Sequence, residues 1–111
     1  MALQQVGSFR LSQQGFYVAK TQFIYMDDNG QNIPSNTTGD ELIDQTYTTD
    51  PGNLGVPDGS VVWFKLIVVA GYDTQSPQGF MYVSGNPNIA TFTSTNITIA
   101  PHLTYGGIIK P

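Results

Sequence analysis

The chain has 111 residues, of which 40% are apolar and 11% charged, with no cysteine and a formal net charge of −4. This length fits a single core, and we predict one β-sandwich domain over residues 1–111. The four basic residues are scattered, so no phosphate-tracking patch is expected, which argues against nucleic acid and anionic membranes as partners. The lack of cysteine excludes disulfides and cysteine-based chemistry.

No targeting or membrane-spanning segment is predicted. The N-terminal residues, MALQQVGSFRLSQQG, lack a basic stretch followed by an apolar one. The longest apolar run, residues 61–71, is interrupted by Lys65 and is too short to cross a bilayer. We therefore expect a cytoplasmic protein or one released by a signal-independent route.

Short segments rich in β-branched and aromatic residues alternate with turn residues, which predicts an all-β fold. A first strand is predicted around Val6–Leu11, and a long one, FYVAKTQFIYM, over residues 16–26. Because Lys20 and Gln22 prefer water, the odd positions of the long strand are predicted to face the core. A bulge that exchanges the two faces is the alternative.

The acidic segment YMDDNGQN, residues 25–32, allows two interpretations. An EF-hand that begins at Asp27 would need glycine at its sixth position and glutamate at its twelfth, where this chain has Asn32 and Thr38. The EF-hand is therefore excluded. An irregular calcium loop stays open, in which Asp27 and Asp28 would join a distant carboxylate such as Asp50, Asp58 or Asp73. Asn29-Gly30 between two strand-like runs predicts a plain hairpin turn.

The later elements follow the same pattern. A modest strand is predicted over residues 42–48, a loop over 49–59, and a central strand within 61–71. The even positions of the central strand are wholly apolar, which is typical of the inner layer of a sandwich: Val62, Phe64, Leu66 and Val68. Further strands are predicted in residues 79–85, 88–100 and 102–109. About seven short strands favour a single-domain antiparallel β-sandwich, with a small barrel as the alternative.

Enzymatic chemistry is poorly supported by the sequence. His102 is the only histidine, it follows Pro101 near the end of the chain, and no nucleophile elbow is present. The acidic residues lie mostly in predicted turns, where aspartate is favoured for local hydrogen bonding. One histidine without cysteine cannot make a zinc set. We therefore expect a protein that is not an enzyme, with no catalytic residue, metal or cofactor.

Binding is better supported, because amides and hydroxyls beside aromatic rings suit sugars and zwitterionic headgroups. The chain is predicted to recognise a glycan or a neutral lipid headgroup through end loops. The candidate ligand-binding residues are Tyr72, Gln78, Tyr82, Asn86 and Asn88. Trp63 and Tyr105 are further aromatic candidates, although packing in the core with their polar groups satisfied is the favoured explanation for Trp63. The alternative function is ordered self-assembly into a homo-oligomer, fibre or lattice, since few charges oppose contact between copies.

The order of the segments resembles that of a known group. A Gly-aromatic strand, an acidic turn, a central strand led by Pro57-Asp58-Gly59 and a closing ATFTSTNITIAPHLTYGG are similar to the small cysteine-poor β-sandwich proteins of bacteria and fungi. Among these, the chain is most similar to the aegerolysin-like group. The resemblance implies an acidic, toxin-like, lipid-binding sandwich, in a group of which some members act with a pore-forming partner. This chain is shorter and has one tryptophan, so no binding residue is transferred from that group.

Overall fold

The computed structural model of the protein describes residues 3–111, which contain nine β-strands and one 3-10 helix, Pro51–Leu54. The strands are β1 (Gln5–Val6), β2 (Ser8–Gln13), β3 (Ala19–Met26), β4 (Asn32–Pro34), β5 (Gln45–Thr49), β6 (Val61–Val68), β7 (Thr74–Tyr82), β8 (Ile89–Ile97) and β9 (Ala100–Ile109). Within the described residues, no helix is long and apolar enough to cross a bilayer.

The strands form two layers. One sheet has the order β1-β7-β6-β3-β4 and the other the order β5-β2-β8-β9. The predicted all-β fold is confirmed, but there are nine strands instead of about seven, and the sheets are mixed instead of antiparallel. β1 runs parallel to β7 and β2 parallel to β8. The first predicted strand is divided at Gly7 because its two halves join different sheets.

The alternation of β3 and β6 sets the core. In β3, Ala19, Thr21 and Phe23 are buried, whereas the residues between them are partly exposed. The odd face of the long segment therefore points inward as predicted, and the pairing of β3 with β6 continues without a bulge. All four even positions of β6 are buried as well.

Five phenylalanines from five strands of both sheets occupy the centre: Phe9, Phe23, Phe64, Phe80 and Phe92. The closest pairs are Phe64 with Phe92, whose ring centroids lie 4.7 Å apart, and Phe9 with Phe23 at 4.8 Å. Rings at these distances add specific attraction to the burial of large apolar surfaces. The sixth phenylalanine, Phe16, lies outside this cluster.

Most strands differ from their predicted bounds. β3 begins three residues later than the predicted segment 16–26, β8 ends three residues before position 100, and β4 was not predicted. β5 starts at Gln45, three residues later than predicted. β7 starts at Thr74, five residues earlier than predicted, and contains Pro77. Its pairing with β6 is irregular between Trp63 and Lys65, and a bulge tolerates a proline that regular pairing would exclude.

The register places the loops at two opposite ends. β6 ends where β3 begins, because Ala19 pairs with Val68, so loops 14–18 and 69–73 share one end. The tight turn at residues 98–99 between β8 and β9 reaches the same end, since Phe16 bridges to Ile97. The hairpin loop 27–31 and the loop 83–88 lie at the other end. We call residues 27–31, 55–60 and 83–88 the polar end.

Candidate functional site

The five predicted site residues do not form one site. Tyr72 lies in loop 69–73 and is 65% exposed. Asn86 and Asn88 lie at the polar end, on the far side of the sandwich. Gln78 is exposed in β7, and Tyr82 is buried. The structure therefore separates residues that were predicted to bind one ligand together.

Tyr82 belongs to the core. It is only 2% exposed and lies on the same face of β7 as Phe80. Its hydroxyl donates a hydrogen bond to Asp50 Oδ1 and accepts one from the Gly52 N–H at 3.2 Å. Burial raises the pKa of Tyr82, and the neighbouring Asp50 raises it further. Tyr82 thus anchors the 3-10 helix and has no free surface for a ligand.

The predicted amides are engaged in the protein's own loops. Asn86 Oδ1 accepts a hydrogen bond from the Asn88 N–H at 2.9 Å, and Asn88 Nδ2 donates to the Gln5 carbonyl at 3.2 Å. Gln78 Oε1 accepts a hydrogen bond from Ser76 Oγ. These contacts stabilise a turn, the start of β1 and the bulge in β7.

The acidic segment is a hairpin, as predicted. Met26 pairs with Asn32, and Gly30 has a φ of +77°, a conformation that glycine adopts at little cost. Asp27 Oδ1 accepts hydrogen bonds from the N–H groups of Asn29 and Gln31 at 2.9 and 2.8 Å. Asp27 is therefore a structural acceptor in its own turn.

The irregular calcium site that the sequence left open is not supported by the structure. Asp27, Asp28 and Asp58 line one cleft of about 430 Å³. However, Asp58 Oδ1 already accepts the Ser84 N–H at 2.8 Å. In residues 3–111, no group of three or more histidine or acidic side chains could hold a metal ion.

A different feature emerges at the other end of the sandwich. Large apolar side chains are exposed there in all three loops, and we call them the apolar end: Phe16, Val69, Tyr72, Ile97 and Ile99. Phe16 is 74% exposed and Ile99 is 67% exposed. Together with Tyr72, they are the three most exposed large apolar residues in the described part of the chain. Isolated exposed apolar residues are ordinary, whereas a cluster of them marks an interaction surface.

Main-chain hydrogen bonds hold the three loops together. The Phe16 N–H donates to the Asn96 carbonyl at 2.8 Å, and the Tyr72 N–H donates to the Thr98 carbonyl at 2.9 Å. Gly71 packs so closely that a Cβ atom there would lie 2.5 Å from the Thr98 carbonyl oxygen. The apolar end is therefore one joined surface.

Hydrogen bonds satisfy part of the backbone of the apolar end. The N–H groups of Gln14, Gly15 and Phe16 all have protein acceptors. The same holds in loop 69–73 for Val69, Gly71 and Tyr72. Each of these six N–H groups can leave water without the cost of an unpaired donor.

The three loops that carry the exposed apolar side chains have little charge of their own, while Asp40 and Asp44 of the adjoining segment are exposed at the same end. Residues 14–18, 69–73 and 98–99 contain no lysine or arginine, and Asp73 is their only acidic residue. Asp73 Oδ1 accepts the Val68 N–H at 3.0 Å, so this carboxylate is used to close its own loop. Nothing in these loops favours an anionic partner.

Of the apolar-end residues, only Tyr72 is among the predicted ligand-binding residues. A partial signal for Phe16 existed, because the alternation of residues 16–26 places it on the solvent face. Ile97 and Ile99 carried no such signal, since their exposure depends on where β8 turns into β9.

No family model matches the chain, and no curated protein matches it. Solved structures of protein toxins are similar in their strand arrangement. Listeriolysin O is 16% identical with a TM-score of 0.45, and the match covers 90% of this chain and 22% of that one. A disulfide-locked mutant of intermedilysin, solved with human CD59, is 14% identical with a TM-score of 0.49, covering 94% and 24%. The chain spans under a quarter of the length of the first toxins that it matches.

One similar structure is a single domain. The membrane-binding domain of pneumolysin is 13% identical with a TM-score of 0.45, and the match covers 91% of this chain and 96% of that one. These likenesses concern the arrangement of the strands only. None of the structures named is an aegerolysin, so the narrower resemblance stays a prediction. At such identities and TM-scores, no residue role passes from these toxins to this chain.

Proposed function

We propose that the protein is a non-enzymatic binding module that contacts a neutral lipid bilayer through its apolar end. The observation that carries this proposal is the group of five exposed apolar side chains at one end of the sandwich, on segments that main-chain hydrogen bonds join. Burying a single side chain such as Phe16 or Ile99 contributes roughly 1.5–3 kcal/mol. Several together suffice for reversible attachment to a bilayer surface.

The chemistry of the apolar end favours lipid over sugar. Sugar recognition needs directional polar groups beside an aromatic ring. The predicted amides Asn86 and Asn88 lie at the opposite end and are engaged there. Val69 and Ile99 are exposed in the loops beside Tyr72, and the carboxylate of the adjacent exposed Asp73 already accepts the Val68 N–H.

The expected lipid is uncharged overall. Anionic membranes attract clustered lysine and arginine, and the apolar-end loops contain neither. Tyr72 fits the boundary of a neutral membrane, because its ring is apolar while its hydroxyl stays hydrated. The two predicted ligand classes, a glycan and a neutral lipid headgroup, thus narrow to a phosphatidylcholine-like surface.

The proposal is tested by flotation of the protein with phosphatidylcholine vesicles. We expect the unaltered protein to float with them and Ile99→Glu to reduce the partition coefficient about tenfold or more, because a charge replaces a buried isoleucine. Ile99 is exposed, so this substitution should leave the melting temperature almost unchanged.

Ile109→Glu is the matched control. Ile109 is an exposed isoleucine that pairs with Ile89 at the other end of the sandwich, and its substitution should change partition less than twofold. Equal losses for both variants, or no flotation of the unaltered protein, would contradict the proposal. Stronger binding to phosphatidylserine vesicles would point to electrostatic attachment instead.

Self-assembly is the second candidate function, and β9 is the observation that favours it. This outermost strand has ten residues without lysine, arginine or an acidic residue, and a long uncharged edge can pair with another copy. Pro101 and the bulge beside Gly107 interrupt that edge, so it ranks second. If the molar mass from light scattering stays at the monomer value as the protein concentration rises, this candidate is excluded.

A further inference from the structure

The loop that carries Phe16 is held by one buried side chain, Gln13. The Gln13 amide nitrogen donates to the Tyr17 carbonyl at 2.5 Å and to the Glu41 carbonyl at 3.4 Å. The Gln13 amide oxygen accepts the Gly15 N–H at 2.6 Å and Ser94 Oγ–H at 3.0 Å. Two of these four partners, Gly15 and Tyr17, are the immediate neighbours of Phe16.

This arrangement uses the whole hydrogen-bonding capacity of the amide. A primary amide has two donors and two acceptor sites, and Gln13 is fully buried with all four engaged. A buried polar group is costly unless it is paired. The pairing here fixes the backbone on both sides of an exposed aromatic ring.

We infer that Gln13 is a positioning residue, which fixes loop 14–18 so that Phe16 projects from the apolar end before any bilayer is met. This inference rests on the proposed function. A loop that is already ordered loses less conformational freedom on binding. Gln13 itself touches no lipid, because it lies beneath the surface.

Gln13→Met tests the inference, because methionine is similar in length and lacks the amide. We expect its partition into phosphatidylcholine vesicles to fall about tenfold, because the loop would lose the backbone freedom of about one residue when it binds. Without lipid, hydrogen exchange at the Phe16 N–H should become faster. That N–H is bonded to the Asn96 carbonyl and not to Gln13, so it reports on the order of the loop.

Ser94→Ala is the milder variant and decides the matter if Gln13→Met does not fold. It removes one of the four hydrogen bonds to Gln13, and we expect about a threefold loss of vesicle partition. Ser76→Ala is the control, because it deletes another buried hydroxyl, in β7, away from loop 14–18. It should leave partition unchanged.

The outcomes separate the two proposals. Weaker partition together with faster exchange at Phe16 supports the positioning role. A folded variant that partitions as the unaltered protein does, or one that loses partition with unchanged exchange at Phe16, overturns it. If the unaltered protein does not bind vesicles, the proposed function fails, and the inference with it.

Discussion

The two ends of this sandwich use their side chains in opposite ways. At the polar end, Asp27, Asp58 and Asn86 accept hydrogen bonds from the backbone of their own or neighbouring loops. At the apolar end, main-chain hydrogen bonds join the loops, and large apolar side chains such as Phe16 and Ile99 are exposed. A polar loop residue is thus weak support for a ligand site when its hydrogen bonds are needed by the fold. Exposed apolar side chains on joined loops are stronger support.

The largest effect is expected from separating the loops of the apolar end. Gly71→Ala places a methyl group 2.5 Å from the Thr98 oxygen and 2.7 Å from Val68 Cγ1, so the backbone must move. We expect the free energy of unfolding to fall by about 1–3 kcal/mol and vesicle partition to fall with it. Denaturant unfolding and flotation measure the two effects.

Gly39→Ala is the control for that substitution. A Cβ atom at Gly39 meets nothing within 4 Å, so stability should change by no more than about 0.5 kcal/mol. If both alanines have the same effect, the close contact between the loops at Gly71 is not what holds the apolar end together.

A smaller effect is expected from the polar end. Asp27→Ala removes the acceptor of two backbone N–H groups and should cost about 1–2 kcal/mol of stability. Vesicle partition should stay the same, because the hairpin lies far from the bilayer. Chemical denaturation measures the stability, and flotation checks that the two ends are independent.

Asp28→Ala and Asp27→Asn test whether that loss of stability comes from the acceptor oxygen of Asp27. Asp28 is exposed and should contribute about 0.5 kcal/mol or less. Asparagine at position 27 keeps an acceptor oxygen and should restore most of the lost stability. A loss at Asp28 equal to that at Asp27 would contradict the role assigned to Asp27.

The smallest effect concerns Glu41, a buried acid near loop 14–18. Burial raises its pKa, and hydrogen bonds from Thr21 and Thr38 offset part of that rise. A raised pKa in the folded state means that Glu41 favours folding when it is protonated, and that this contribution is lost as pH rises through the folded-state pKa. We expect Glu41→Gln to gain stability over the unaltered protein as pH rises from acid to neutral.

Melting temperatures across that pH range measure the gap between the two proteins. Asp28→Asn serves as the reference, because it removes one negative charge from an exposed position at the other end. A gap that narrows as pH rises would contradict the assignment to Glu41.

Much of the fold was predictable because it is local. The inward faces of β3 and β6 and the turn at Asn29-Gly30 follow from alternation and turn chemistry. The parallel pairing of β2 with β8 was not predictable, since it joins strands from the two ends of the chain.

The candidate site was less predictable than the fold. Tyr82 could have been assigned to the core, because it shares a strand face with Phe80. Exposure of Phe16, Ile97 and Ile99 depends on which loops the completed sandwich brings together, and no local pattern encodes that.

The pairing of β2 with β8 also has a consequence for synthesis on the ribosome. Phe9 of β2 pairs with Ala90 of β8, and Leu11 pairs with Phe92. This edge of β2 therefore cannot pair until β8 has been synthesised. Pairings between residues so distant in sequence form slowly. One edge of β2 can pair with β5 once that strand has been made, but the other edge stays open until β8 follows, and chaperones that bind open strand edges have a target there.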